Sequence, residues 1–125
     1  MKKPAFSIVI MVKNLNVCKA FYRDILELGD PVLDSTFMVE FKIGDSFSLI
    51  LEKSFQENVS LFSAVGRTSW LFSGGNAEKI REKMHICGYP VPSLSCTDKA
   101  GKAFCRFTDP DGNPLYVSCQ KDEDF

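Results

Sequence analysis

The spacing of apolar residues changes several times along the first half of the chain, and each change predicts a new element. A short, β-branched run at residues 5–13 ends before Asn14 and is typical of a buried strand. A helix follows, with Asn14 or Asn16 as its N-cap and Gly29 as the residue that ends it. Its predicted apolar face consists of Val17, Phe21, Ile25 and Leu28. Three strands are predicted next, at residues 32–33, 37–43 and 47–52.

The second half repeats this order after a mixed connector at residues 54–66. A strand is predicted at residues 68–73, followed by a helix that begins at Asn76 and ends at Gly88. The apolar face predicted for this helix consists of Ala77, Ile80, Met84 and Cys87. Further strands are predicted at residues 89–94, 103–108 and 115–120, with a tight turn before the last one.

Individual positions of the two halves correspond. Gly29-x-Pro31 matches Gly88-x-Pro90 at an offset of 59 residues. At an offset of 66 residues, Phe41, Asp45, Leu49 and Leu51 match Phe107, Asp111, Leu115 and Val117. The sequence therefore predicts an α+β fold in which residues 1–125 form a single domain of two βαβββ modules, at about residues 5–53 and 67–120.

Charge and composition exclude several classes of partner. The net charge is −1 and no basic patch stands out, which argues against nucleic acid as a partner. No stretch approaches the ~18 apolar residues of a membrane span, and the short apolar run near the start lacks a cleavage site, so we expect no membrane association and a cytoplasmic location. The 5 cysteines are odd in number and form no C-x-x-C motif, which favours free thiols over disulfides or zinc. The 1 histidine, His85, is predicted to lie on the surface.

Two stretches of sequence resemble one known superfamily. Residues 12–22 contain Asn-Leu followed by Phe-Tyr, and residues 107–116 read Phe-Thr-Asp-Pro-Asp-Gly-Asn-Pro-Leu-Tyr. These are similar to the strand-to-helix opening and the final hairpin of the vicinal-oxygen-chelate superfamily, which contains glyoxalases, bleomycin-resistance proteins and extradiol dioxygenases. The resemblance covers residues 6–118. It implies that the strands of the two modules form a curved mixed-sheet cup with the helices outside.

The resemblance also implies four positions inside the cup at which His, Glu or Gln bind a divalent metal in many members. In this sequence these positions correspond to Ser7, Ile50, Ser69 and Tyr116, and none of them is a usual metal ligand. Side chains alternate across a strand, so other cup-facing residues lie two positions away, and among those only Glu52 could bind a metal. We therefore predict no metal and no cofactor, which argues against glyoxalase, dioxygenase or thiol-transferase activity.

The predicted function follows from the residues expected to line the cup. They combine apolar side chains with a few polar groups: Ser7, Val9, Ile50, Glu52, Ser69, Leu71 and Tyr116. We predict a metal-independent small-molecule-binding protein similar to the bleomycin-resistance branch, acting as a homodimer. One alternative is a lyase- or isomerase-like enzyme of the same superfamily, with Glu52 and Tyr116 as acid and base. Another is a regulatory or partner-binding domain whose cup is filled by its own side chains.

Four further residues are interpreted through the strand register and the turn. Trp70 faces the helix layer if Ser69 faces the cup, whereas a slip of one residue would make Trp70 a wall of the cup. Glu40 and Arg106 occupy equivalent places in the two modules and are predicted to be solvent-facing charges, with an ion pair or contacts to a ligand as alternatives. Asp111 belongs to a tight turn rather than to a calcium or phosphate loop.

Overall fold

The computed structural model describes residues 5–54, 69–72, 76–91, 96–99 and 102–118. The chain divides into two compact units, residues 1–64 and 65–125, and each is described by itself. Each unit contains a four-stranded mixed sheet. Within the described ranges, no helix combines the length and the apolar character that are needed to cross a membrane.

The sheet of the first unit has the order β1-β4-β3-β2. Its strands are β1 (Phe6–Val12), β2 (Leu33–Asp34), β3 (Met38–Lys42) and β4 (Phe47–Lys53). Strands β1 and β4 are parallel, and the other two pairs are antiparallel. A parallel pair needs a long crossover connection, and here that connection contains the helix that follows β1.

The helix after β1 begins at Leu15 as α1 (Leu15–Ala20) and continues as a π-helical segment (Phe21–Ile25). The Asn14 side chain accepts a hydrogen bond from the Val17 N–H at 3.3 Å, which confirms Asn14 as the N-cap. The buried residues of this helical region are Leu15, Cys18, Phe21, Tyr22, Ile25 and Leu26.

The predicted apolar face of this first helix was partly wrong. Phe21 and Ile25 are buried, but Val17 is 38% exposed. Leu15 and Cys18 take the inward positions of the first turn instead, and Tyr22 packs toward the sheet with its ring centroid 6.4 Å from that of Phe41. The inward residues Leu15, Cys18, Tyr22 and Ile25 also recur every three or four positions, so helical spacing fits this face as well as the predicted one and could not choose between them.

The second unit repeats the topology of the first. Its strand order is β5-β8-β7-β6, with β5 and β8 parallel. The elements are β5 (Leu71–Phe72), α2 (Ala77–Ile86), β6 (Cys96–Lys99), β7 (Lys102–Thr108) and β8 (Pro114–Ser118). The predicted βαβββ order is therefore present in both units.

Two predictions for the second unit were wrong. The strand expected at residues 89–94 is absent from residues 89–91, residues 92–94 lie outside the described part of the chain, and β6 lies at Cys96–Lys99. The Tyr89 N–H still donates to the Met84 carbonyl, which closes the end of the helix, and Gly88 has the positive φ of 83° that this ending requires. Cys87 is exposed rather than part of the buried helical face, since it is the C-cap of α2. Residues 55–68, which include most of the predicted connector, lie outside the described part of the chain.

The repeat is confirmed by the pairing of core residues within each sheet. Phe41 pairs with Leu49 in the first unit, and Phe107 pairs with Leu115 in the second. All four side chains are at most 1% exposed. Phe107 follows Phe41 by 66 residues, and Leu115 follows Leu49 by the same number.

Candidate functional site

The first sheet has one buried face and one face that carries exposed side chains, and we call the second its open face. Because side chains alternate along a strand, residues that differ by two positions share a face. The buried face contains Val39, Phe41, Leu49 and Leu51, which are at most 1% exposed. The opposite face contains Ser7, Val9 and Met11 of β1, Met38, Glu40 and Lys42 of β3, and Ser48, Ile50 and Glu52 of β4.

Four of the residues predicted to line the cup lie on this open face. Val9 pairs with Ile50, and Ser7 and Glu52 lie two positions away on the same two strands. Val9 is 51% exposed, and Ile50 and Glu52 are half-buried. The register therefore brings an apolar pair next to a carboxylate on one sheet surface.

Glu52 has three neighbours on the same face, of which sequence reasoning missed the two methionines. Met11 of β1 and Met38 of β3 are its register partners on either side, and Glu40 lies diagonally across from it on β3. Met11 is 42% exposed. Alternation from Val9 to Met11 was the signal that could have found Met11, because both face the same way. Glu52 thus sits between two methionines, with a second carboxylate close by.

The second sheet separates its side chains in the same way. Phe107, Leu115 and Val117 form its buried face and are at most 1% exposed. Leu71 pairs with Tyr116 on the opposite face, where Leu71 is 46% exposed and Tyr116 is half-buried. We call this the open face of the second sheet.

Hydrogen bonds fix the position of β5 beside β8. The Tyr116 N–H donates to the Trp70 carbonyl at 2.9 Å, and the Ser69 hydroxyl donates to the Pro114 carbonyl at 3.1 Å. The Trp70 ring meets the Phe72 ring edge-on, with centroids 4.9 Å apart and an interplanar angle of 87°. Trp70 therefore shares a face with Phe72, opposite to Leu71, and the alternative register that would put Trp70 on the open face is wrong.

The equivalent charges Glu40 and Arg106 each lie on an open face. Glu40 pairs with Ile50 in the first sheet, and Arg106 pairs with Tyr116 in the second. Arg106 is exposed, as expected for a solvent-facing strand charge, whereas Glu40 is half-buried. Each charge therefore flanks one of the residues predicted to contact a ligand.

The residues at the four metal positions do not fit a divalent cation. Ile50 has no donor atom, and the hydroxyl of Ser69 already donates to a backbone carbonyl. The remaining two positions offer a serine hydroxyl and a phenol, which are weak ligands when neutral. In the ranges that the structure describes, no group of three His, Cys, Asp or Glu side chains is placed to hold a metal ion.

His85 and the Arg23–Asp24 pair lie away from the open faces. His85 is exposed on α2, as the sequence predicted. The pKa of Arg23 is raised by its hydrogen bond to Asp24 and by the charge of that carboxylate, but both residues belong to the π-helical segment rather than to the sheet.

Comparison with known proteins gives matches among solved structures only. No family model matches the chain, and no curated protein does. A lactoylglutathione lyase from Agrobacterium tumefaciens is 22% identical, with a TM-score of 0.66, over 94% of this chain and 93% of its own. A glyoxalase/bleomycin resistance protein from Catenulispora acidiphila is 14% identical, with a TM-score of 0.65, over 93% and 97%.

A third similar structure is that of a complex with a ligand. It is the bleomycin-binding protein from bleomycin-producing Streptomyces verticillus, complexed with copper(II)-bleomycin. It is 14% identical to this chain, with a TM-score of 0.61, and the match covers 97% of this chain and 99% of that one. At such identities, the three matches establish the fold and leave the ligand and the chemistry to be argued from the residues.

Proposed function

We propose that this protein, whose fold is that of the vicinal-oxygen-chelate superfamily, is a metal-independent small-molecule-binding protein. Ligand contacts are proposed for Ser7, Val9, Ile50 and Glu52 on the open face of the first sheet, and for Ser69, Leu71 and Tyr116 on the open face of the second. The observation that carries the proposal is the composition of these faces. At the four positions where metal-dependent relatives hold metal ligands they carry Ser7, Ile50, Ser69 and Tyr116, and beside these they carry exposed apolar side chains and the carboxylate of Glu52.

The apolar residues on the open faces support binding of an organic ligand. Val9, Met11 and Leu71 are each between 42% and 51% exposed, although aliphatic side chains are usually buried. Covering one such side chain contributes about 1.5–3 kcal/mol when burial is complete. Tyr116 adds an aromatic ring with a hydroxyl, which suits a flat molecule with a polar edge.

The charges on the first sheet support a cationic group in the ligand. Glu40 and Glu52 are diagonal neighbours on adjacent strands, and both are half-buried. A cationic group above this part of the sheet would be attracted by both carboxylates. Met11 and Met38 on either side of Glu52 are flexible and polarisable, so they can adapt to ligands of different shape.

The similar structure from Streptomyces verticillus suggests the first probe. Because that protein is described as bleomycin-binding, metal-free bleomycin is a reasonable test ligand for this chain. We expect calorimetric titration in the presence of a chelator to give saturable binding. Glu52→Gln should weaken that binding about tenfold, which corresponds to the loss of one charge-assisted contact worth about 1.4 kcal/mol.

Glu78→Gln provides the matched control, because it removes the same charge from an exposed position on α2. It should leave the Kd unchanged. Should bleomycin fail to bind, a thermal-shift panel of flat cationic compounds takes its place as the probe. Binding that requires an added divalent metal, or that Glu52→Gln and Glu78→Gln weaken equally, would contradict the proposal.

An enzyme of the same fold is the second candidate. Glu52 and Tyr116 are half-buried on open faces, and both side chains can transfer a proton, as acid–base catalysis requires. Turnover that Glu52→Gln abolishes while ligand affinity is kept would favour this reading.

A homodimer, a cytoplasmic location and a single folding domain are proposed on the sequence alone.

A further inference from the structure

A cavity of about 460 Å³ lies at the carboxyl-terminal ends of β1 and β4 in the first unit. It is separate from the residues proposed to contact a ligand on the open face. The residues that line it are Lys13, Asn14, Leu15, Asn16, Thr36 and Lys53. They come from three segments: the β1–α1 connection, the turn between β2 and β3, and the last residue of β4.

Backbone hydrogen bonds hold these three segments together. The Ser54 N–H donates to the Val12 carbonyl at 2.8 Å, which ties the end of β4 to the end of β1. The Lys53 N–H donates to the Phe37 carbonyl at 2.9 Å, which ties β4 to the β2–β3 turn. The Ser35 hydroxyl accepts the Met38 N–H at 3.0 Å and stabilises that turn from within. The rim of the cavity is therefore set by the main chain.

The chemistry of the lining residues is basic and rich in hydrogen-bond donors. Lys13 and Lys53 supply two ammonium groups, and the described lining residues include no carboxylate. Thr36 and Asn16 add a hydroxyl and an amide, while the Asn14 side chain caps α1. Leu15, which is 5% exposed, supplies an apolar floor. Two point charges with neutral donors suit a phosphate group, because its oxygens only accept hydrogen bonds from such partners.

We propose that this cavity binds the phosphate group of a small soluble molecule. A volume of about 460 Å³ exceeds that of phosphate itself and lies within the range of about 300–1,000 Å³ that is typical of small-ligand sites. The attached organic part of the ligand would therefore have room beside Leu15. This site does not depend on the proposed function of the open faces, and either can be absent without the other.

The test is a titration of the full-length chain, labelled with ¹⁵N, with inorganic phosphate at constant ionic strength. We expect saturable shifts of the amide signals of Lys13, Asn16, Thr36 and Lys53. The double variant K13Q/K53Q should bind phosphate at least about tenfold more weakly, whereas K13R/K53R, which keeps both charges, should stay close to the native Kd. Lys42→Gln is the control, because it removes the same charge from β3 at the opposite end of the sheet.

Shifts that grow without saturation, or that K13Q/K53Q and Lys42→Gln reduce equally, would overturn the proposal. A parallel arm uses sedimentation with vesicles that contain phosphatidic acid, whose headgroup offers the same phosphate chemistry. Suppose that vesicles bind, that K13Q/K53Q abolishes this binding, and that inorganic phosphate does not bind saturably. This result would assign the cavity to a lipid headgroup and overturn the proposal of a soluble ligand. Saturable phosphate binding without vesicle binding is the result that we expect.

Discussion

Phe107→Ala is expected to lower the free energy of unfolding by about 3–5 kcal/mol, the usual cost of removing a large core side chain. Phe107 is 1% exposed and pairs across β7 and β8 with Leu115, which is fully buried. Truncation removes the ring from its apolar surroundings and leaves a cavity that the rigid strand pair cannot close. Urea denaturation followed by circular dichroism measures the change.

Two other phenylalanines serve as comparisons for this variant, one from the repeat and one from the surface. Phe41 is the equivalent residue of the first unit and is fully buried, so Phe41→Ala should cost a similar amount. Phe37 is 53% exposed, and Phe37→Ala should cost less than about 1 kcal/mol. A loss for Phe107→Ala no greater than that for Phe37→Ala would mean that the core of the second sheet has been wrongly placed.

Asp109→Ala is expected to cost about 3 kcal/mol, because one buried carboxylate organises the whole β7–β8 turn. Asp109 is 4% exposed, and its oxygens accept three hydrogen bonds of 2.9 Å each. The donors are the N–H groups of Asp111 and Asn113 and the side-chain amide of Asn113. Alanine would leave these part-buried donors without their acceptor.

Asp45→Ala is the comparison for Asp109→Ala. Asp45 lies in the corresponding turn of the first unit, between β3 and β4, but it is exposed. Its replacement should change the free energy of unfolding by no more than about 0.5 kcal/mol. Thermal unfolding of the two variants side by side makes the test. Equal effects would show that the hydrogen bonds of Asp109 do not stabilise the turn.

Much of the fold could be predicted because strand pairing preserves a simple pattern. Residues 66 positions apart occupy the same place in each sheet, so Leu49 and Leu115 share a partner type and a buried environment. Alternation along β1 and β4 was also enough to assign Val9 and Ile50 to one face, and the register confirms it, because the two residues are paired.

The errors arose where local spacing does not determine the structure. Val17 fits a helical period, but Cys18 and Tyr22 fit the same period on a neighbouring face, and it is that face which is buried. Tyr89 is apolar and follows a glycine, yet its N–H completes the helix end rather than a strand ladder. The first outcome depends on which helical face packs on the sheet, and the second on a hydrogen bond between residues five positions apart; periodicity describes neither.

The cavity at the ends of β1 and β4 lay beyond sequence reasoning for a related reason. Lys13, Thr36 and Lys53 are far apart in the chain and belong to no motif. They meet because β1 and β4 end together and because the β2–β3 turn is hydrogen-bonded to β4. The open faces, by contrast, could be outlined from alternation alone, although the partial burial of Glu40 could not.

The metal content of the purified protein tests the central claim most directly. Elemental analysis should find no stoichiometric divalent metal, and a panel of divalent cations should leave the Tm unchanged, because the open faces lack a metal-binding set of donors. A stoichiometric metal that stabilises the protein and is lost in Glu52→Ala would contradict the account and identify the protein as a metal-dependent member of its fold.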